Sequence, residues 1–222
     1  MAADLLVRIH LGHVTLEGNL TLPAKPAGVV LFAHGSGSSR HSPRNRFVAE
    51  QLQRAGFTTL LMDLLTADEE IVDRATARLR FDIALLAERL VYATRWLQAR
   101  SKPEAAHLGY FGASTGAAAA LVAAANRPEL IEAIVSRGGR PDLAGPLLPA
   151  VRAPALLIVG ELDDVVIELN RRAAAEMRAP HKIRIVPGAT HLFEEPGALE
   201  EVAALAREWF EDHLMKSNID VS

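Results

Sequence analysis

The sequence predicts an α/β fold with a mostly parallel sheet, helices on both faces and an antiparallel hairpin at the amino terminus. Three observations support this prediction. Short apolar runs alternate with longer amphipathic segments, polar residues follow directly after the apolar runs, and 50% of the 222 residues are hydrophobic. That hydrophobic fraction is enough for one substantial core. We therefore expect residues 1–222 to form a single domain.

The first half of the chain predicts a hairpin followed by alternating strands and helices. Residues 5–10 and 14–22 alternate apolar and polar positions on either side of Gly12-His13, as strands of an antiparallel hairpin do. Continuous apolar runs indicate strands buried on both faces, and helical patterns end at glycine or before proline. The elements predicted in this way are strands at 29–33 and 58–64 and helices at 45–55 and 66–100, the last broken near Thr76.

The second half continues the same alternation. Predicted strands lie at 107–111, 131–136, 155–159 and 182–186, and predicted helices at 115–126, 166–177 and 196–215. The closing helix has apolar side chains at Val202, Leu205, Trp209 and Phe210. Their helical spacing favours packing on the core, and a homodimer interface is the alternative use of this face.

Composition excludes several classes of function. The net charge is −3 and the basic residues are scattered, so nucleic acid is not an expected partner. The chain has no cysteine, which excludes a disulfide framework, a thiolate metal site and a cysteine nucleophile. Paired metal-ligand spacings are also missing, so we expect no metal and no cofactor. Without a visible signal peptide or membrane span, we expect a cytoplasmic protein with no membrane partner.

The segment Gly112-Ala113-Ser114-Thr115-Gly116 is the strongest functional motif. An apolar run precedes it and an alanine-rich helical run follows it, as expected for a strand that turns sharply into a helix with serine at the bend. Such a turn exposes the serine hydroxyl above a helix amino terminus. Gly-x-Ser-x-Gly also occurs as a plain helix start with serine as N-cap. The strand-turn-helix setting favours a nucleophilic serine.

A nucleophilic serine needs a base and a group that orients the base. His191 is the only histidine after Ser114 that follows a predicted strand, and the other histidines in or after the motif strand, His107, His181 and His213, precede strands or lie in the last helix. Asp163 follows another strand and gives the chain order Ser, Asp, His. Its neighbours Glu161 and Asp164 are the alternatives. We expect Ser114, Asp163 and His191 to form a catalytic triad.

The tetrahedral intermediate also needs hydrogen-bond donors for its oxyanion. The turn His34-Gly35-Ser36-Gly37 follows the first buried strand, and its small residues let the backbone approach a substrate. We expect the backbone amides of Ser36 and Thr115 to form the oxyanion hole. The alternative for this turn is a phosphate-binding loop, but the Gly-Lys-Ser/Thr ending of such loops is missing.

Taken together, these motifs resemble the α/β-hydrolase superfamily. The resemblance rests on glycine-flanked Ser114, the His34-Gly35-x-Gly37 turn, Gly160-x-x-Asp163 and Gly188-x-x-His191, and it covers essentially the whole chain. The size of the chain and the turn at residues 34–45 are most similar to the dienelactone hydrolase-like branch. This resemblance implies the α/β-hydrolase fold with little or no cap. Dienelactone hydrolases proper have a cysteine nucleophile where this chain has serine.

The resemblance implies a serine hydrolase that cleaves a small carboxylic ester or lactone through an acyl-serine intermediate. A thioesterase or peptidase using the same triad is an alternative, as is a non-catalytic binding module with this fold. Arg44, Arg137 and Arg140 follow strands or the oxyanion turn, and we interpret them as candidate binding residues for a carboxylate or phosphate on the substrate. Ordinary solvated arginines are the alternative reading.

Overall fold

The structure is a computed structural model that describes residues 3–100 and 107–215. Within these residues eight strands form one sheet, with six α-helices around it. The strands are β1 (Ala3–Leu11), β2 (Val14–Leu22), β3 (Gly28–Ala33), β4 (Phe57–Met62), β5 (Leu108–Ala113), β6 (Ala133–Arg137), β7 (Ala155–Gly160) and β8 (His181–Val186). The helices are α1 (Pro43–Arg54), α2 (Ala67–Thr76), α3 (Ile83–Gln98), α4 (Thr115–Asn126), α5 (Asp164–Glu176) and α6 (Ala198–Leu214).

The sheet has the order β1-β2-β4-β3-β5-β6-β7-β8. β1 pairs antiparallel with β2, and β2 pairs antiparallel with β4, whereas all neighbours from β4 to β8 are parallel. The predicted amino-terminal hairpin and mostly parallel sheet are therefore confirmed. Because parallel strands end at the same edge of a sheet, the loops after β3, β5, β6, β7 and β8 lie along one edge.

Successive residues of the central strands face two hydrophobic cores, as the period of a β-strand requires. Leu31, Tyr110 and Ile134 face the core covered by α3 and α4, and their neighbours Phe32, Phe111 and Val135 face the core covered by α1 and α6. The predicted core packing of the closing helix is confirmed. Val202, Trp209 and Phe210 are buried, and Leu205 packs against the same core.

The long helical segment predicted at 66–100 is three elements, with the break near Thr76 confirmed. α2 ends at Thr76, its C-cap Ala77 has a left-handed backbone (φ 54°), and a short 3-10 turn at Leu79–Phe81 precedes α3. The break has a physical cause in Asp73. Its carboxylate accepts hydrogen bonds from the Leu79 amide (2.7 Å) and the Arg80 amide (3.0 Å), which bends the chain back toward α2.

Other element boundaries differ from the prediction by at most two residues, which is ordinary for element ends, and the strand at 14–22 and the helix at 115–126 have the predicted bounds. Between β6 and β7 the chain forms only a 3-10 segment, Pro141–Ala150, so the predicted lack of a long cap at this place is confirmed. Among the described residues, no helix has both the length and the apolar character needed to cross a bilayer.

Candidate active site

Ser114 lies at a strained turn between β5 and α4. Its backbone has φ 49° and ψ −120°, a region that non-glycine residues rarely adopt. The two flanking glycines explain how this turn fits. A Cβ at Gly112 would lie 2.4 Å from the Ala117 Cα, and a Cβ at Gly116 would lie 2.2 Å from the Ala33 carbonyl oxygen. The predicted strand-turn-helix setting of the motif is therefore present, with the serine at the bend.

The loop after β6 supports this turn through the backbone. The Ser114 amide donates to the Arg137 carbonyl (3.2 Å), and the Arg140 amide donates to the Ser114 carbonyl (3.1 Å). Sequence reasoning treated residues 137–140 only as a source of guanidinium groups. A hydrogen bond between main-chain groups of residues so far apart leaves no signal in a sequence pattern, so this supporting role was not found.

Asp163 and His191 lie together at the same edge of the sheet. The His191 Nδ1 lies 2.6 Å from the Asp163 Oδ2, and since an ionised carboxylate only accepts, Nδ1 is the donor. The Nε2 atom is then left as the proton acceptor. Asp163 is positioned by the end of β7, where its amide donates to the Gly160 carbonyl (3.1 Å). This is the pairing that a serine nucleophile requires of its base.

Glu161 and Asp164, the two alternatives to Asp163, interact with groups other than the His191 ring. The Glu161 carboxylate accepts from the Gly188 amide (2.7 Å) and so ties the loops after β7 and β8 together. Asp164 is the first residue of α5 and lies in its acidic first turn, where a carboxylate stabilises the helix. The structure thus places Asp163, and neither neighbour, against the His191 ring.

Ser114 and His191 both border the loop that follows β6. A Cβ at Gly138 would lie 3.1 Å from the His191 carbonyl oxygen and 3.5 Å from its Cε1 atom, and the neighbouring Arg137 and Arg140 bond to Ser114. In the described part of the chain, no hydrogen bond joins the Ser114 hydroxyl to His191. Such bonds are often long without substrate and tighten when it binds.

The turn predicted to supply an oxyanion donor is held by His34, a role that sequence reasoning missed. The buried ring accepts a hydrogen bond from the Leu64 amide at Nε2 (3.0 Å), so Nδ1 carries the proton and donates to the Gly35 carbonyl (2.9 Å). Burial holds the pKa of His34 below its ordinary value and keeps the ring neutral. Gly35 lies close to the nucleophile, since its Cβ would be 3.0 Å from the Ser114 Cβ.

We expect His34 to make the stability of the protein dependent on pH. Its pKa is lowered in the folded state, so below about pH 6.5 the unfolded chain binds more protons than the folded chain. The free energy of unfolding should therefore fall as the pH is lowered from about 7.5 to 5.5. His34→Gln should flatten this dependence in urea titrations. The exposed His41→Gln is the matched control, and an equal flattening in both variants would contradict the assignment.

A cavity of about 440 Å³ lies next to the Ser114 turn, where Gly35 and Thr115 border it. Ser114, Asp163 and His191 are not among the described residues that line it. Ser36 and Thr115, the two predicted oxyanion donors, border it, and Leu64 and Leu65 add apolar walls. The far side is polar, with side chains from α2 and the turn after it, namely Glu70, Asp73, Arg74 and Arg80. Residues of the segment at 66–80 therefore line this cavity. Its size suits a small acyl group.

The three candidate arginines do not border this cavity in the part of the chain that the structure describes. Arg44 forms an ion pair with Glu194 (2.8 Å). Arg140 donates two hydrogen bonds to Asp142 (2.9 and 2.8 Å), which raise the pKa of Arg140. Arg137 is buried with only Asn45 within hydrogen-bond distance (3.4 Å). Over residues 3–100 and 107–215 there is also no cluster of side chains suited to a metal ion.

The sheet order, the strained serine turn and the neighbouring Asp-His pair define a protein with the α/β-hydrolase fold. The family model described as "Dienelactone hydrolase family" matches residues 16–215, and the chain belongs to this family. The chain is also similar to the crystal structure of a dienelactone hydrolase from Anabaena variabilis, with 58% identity, a TM-score of 0.91, and coverage of 96% of this chain and 99% of that chain.

Two further comparisons concern fold and length. Est1E from Butyrivibrio proteoclasticus has a TM-score of 0.76 over 93% of this chain and 98% of its own, but at 15% identity it supports the fold alone. A Mycobacterium tuberculosis protein named "Putative phosphoribosyl transferase" is 59% identical over 208 residues. That match covers 94% of this chain and 46% of the relative, so this chain spans about half the length of the curated relatives it matches.

Proposed function

We propose that this protein is a serine hydrolase that cleaves a small carboxylic ester or lactone through an acyl-serine intermediate. The observation that carries the proposal is the 2.6 Å contact between His191 Nδ1 and Asp163, beside a serine held at φ 49°. Membership of the dienelactone hydrolase family supports a hydrolase. The serine in place of the family's cysteine leaves the dienelactone substrate itself outside the proposal.

In the first half of the proposed reaction, the Ser114 Oγ attacks the carbonyl carbon while His191 Nε2 takes the hydroxyl proton. Asp163 holds the ring in the tautomer that leaves Nε2 free and stabilises the imidazolium. The Ser36 and Thr115 amides donate to the oxyanion, and one such donor contributes about 3 to 4 kcal/mol to transition-state stabilisation. The carbon-oxygen bond of the ester breaks, and the alcohol leaves with the proton from His191.

In the second half, His191 takes a proton from water and the hydroxide adds to the acyl carbon. Collapse of this intermediate breaks the bond to Ser114, returns the proton to Oγ and releases the carboxylic acid. For a lactone, the alcohol and the acid are parts of one molecule, so ring opening gives a hydroxy acid. Apart from the attacking water, each step uses only side chains and backbone amides at the edge formed by the strand ends.

The alternatives differ in the leaving group. Thioesters and peptides have the same carbonyl carbon, so a thioesterase or peptidase on the same triad remains a second candidate, and a non-catalytic binding module remains the third. The transferase named for the mycobacterial relatives has no separate support in this chain, which matches less than half of them. Preference for an anionic substrate, a cytoplasmic location and a homodimer stay predictions.

The proposal is tested with a panel of matched acetyl esters, small lactones, thioesters and amides. We expect turnover of the ester or lactone, with a pre-steady-state burst of one alcohol released per protein molecule if deacylation is slower than acylation. Faster thioester or amide cleavage, measured by kcat/KM, would favour the second candidate. If the folded protein cleaved no member of the panel, the binding module would replace the hydrolase.

A further inference from the structure

The buried guanidinium of Arg137 has no role in the proposed reaction. Arg137 ends β6 and is only 6% exposed. Among the described residues its guanidinium forms one hydrogen bond, a long one from Nη2 to the Asn45 Oδ1 (3.4 Å), and its Nε has no partner. No carboxylate among the described residues forms an ion pair with it. A buried charge without a counter-ion is costly, and proteins normally pair it.

A second guanidinium group lies near Arg137. Burial, with the nearby charge of Arg44 as a smaller cause, lowers the pKa of Arg137 to about 10, so Arg137 is charged at neutral pH. Arg44 pairs with Glu194, but its Nε is also buried without a partner. The Glu194 side chain is 63% exposed. Exposed ion pairs contribute little to stability, so an incoming anion can displace this carboxylate at small cost.

The Arg137 guanidinium points at the first turn of α1. Arg44 and Asn45 are the second and third residues of this 12-residue helix, and Ser42 is its N-cap. The amino terminus of a helix favours anions, because the helix dipole is positive there. In this helix Pro43 has no N–H and the Asn45 amide donates to the Ser42 Oγ (3.4 Å), so the dipole and the Arg44 amide are what the helix start offers an anion. The first turn of α1 is thus the place where a helix start, the buried Arg137 guanidinium and the partly exposed Arg44 guanidinium lie together.

We propose that Arg137, Arg44 and the first turn of α1 form a binding site for a phosphate-like oxyanion. The anion displaces Glu194 from Arg44 and supplies the counter-charge that Arg137 lacks. Planar guanidinium groups suit the oxygens of a tetrahedral anion, which accept two hydrogen bonds from each fork. The site also contacts the loop that carries His191, since the Arg137 guanidinium lies 5.8 Å from the centre of the Phe193 ring.

The first test measures the melting temperature in inorganic phosphate against sodium chloride of equal ionic strength. We expect saturating phosphate to raise the Tm of the native protein by about 3 °C or more. Arg137→Met and Arg44→Gln should lose this shift. Arg172→Gln, which removes an exposed arginine paired with Glu168 on α5, should keep it. Should Arg137→Met fail to fold, Arg44→Gln, at a partly exposed position, still decides the question.

A second test uses a variant that should bind phosphate more tightly than the native protein. Glu194→Gln removes the competing carboxylate, so phosphate should bind up to about fivefold more tightly by calorimetry. Equal phosphate shifts in the native, Arg44→Gln and Arg137→Met proteins, or no shift in the native protein, would overturn the proposal. These are binding measurements, so their outcome does not depend on whether the protein hydrolyses esters.

The same oxyanion could come from solution or from a phosphorylated substrate, and kinetics distinguish the two sources. If the phosphate belongs to the substrate, a phosphorylated ester should have a lower KM than its neutral analogue, and Arg44→Gln should remove that difference. If the free ion is the ligand, phosphate should raise the Tm while the two esters keep equal KM values. Either result supports the site and assigns its ligand.

Discussion

Replacing Ser114 by Ala is expected to lower kcat for ester hydrolysis on the order of 10⁵- to 10⁶-fold. Without the Oγ atom no acyl-enzyme can form, and the remaining groups act only on water. The backbone of the turn need not change, because alanine has the same Cβ as serine. The measurement is the steady-state rate with the best ester of the panel, with unfolding curves to show that the variant is folded.

The matched control is Ser38→Ala, which removes a serine hydroxyl from the wall of the cavity next to the Ser114 turn. Ser38 has no part in the proposed reaction, so kcat should change less than about threefold. A Ser114→Ala protein that kept more than about a hundredth of the native kcat would rule out the acyl-serine route. The residual rate of this variant also measures how much the cavity and the amides contribute alone.

Replacing Asp163 by Asn is expected to lower kcat about 10⁴-fold with a much smaller change in KM. The amide keeps the size of the carboxylate but has no charge to stabilise the imidazolium, and its NH₂ group favours the tautomer with the proton on Nε2. The loss should come from the 2.6 Å contact with His191 Nδ1. Initial rates across substrate concentrations separate kcat from KM.

Asp164→Asn is the control for charge, since it removes a carboxylate one residue away that begins α5. We expect a change in kcat of less than about threefold and a small loss of stability from the helix dipole. If Asp164→Asn lost activity and Asp163→Asn did not, the orienting carboxylate would be assigned wrongly. Glu161→Gln extends the comparison to the remaining acidic neighbour.

Sequence reasoning succeeded where local pattern determines structure. Buried parallel strands are continuous apolar runs, so β3, β5 and β7 were visible, and the sharp turn at Ser114 requires glycine at Gly112 and Gly116. The rule that strand ends share one edge then placed Asp163 and His191 near each other. In the structure the two side chains are in contact.

What the sequence did not reveal depends on contacts between distant residues. The His34 ring bonds to Leu64, and Arg44 pairs with Glu194, which is 150 positions away. The spacing of apolar and polar residues along the sequence does not predict such partners. The three candidate arginines are a related case. Their partners Glu194, Asn45 and Asp142 could not be read from the sequence pattern.

The central claim is an activated serine at position 114, and labelling with a fluorophosphonate tests it most directly. The reagent forms a stable bond to a serine Oγ only when a base activates it, and peptide mapping locates the adduct. We expect one adduct per chain on Ser114, none on Ser114→Ala and slow labelling of Asp163→Asn. A folded native protein that stayed unlabelled, or that was labelled at another serine, would contradict the proposed triad.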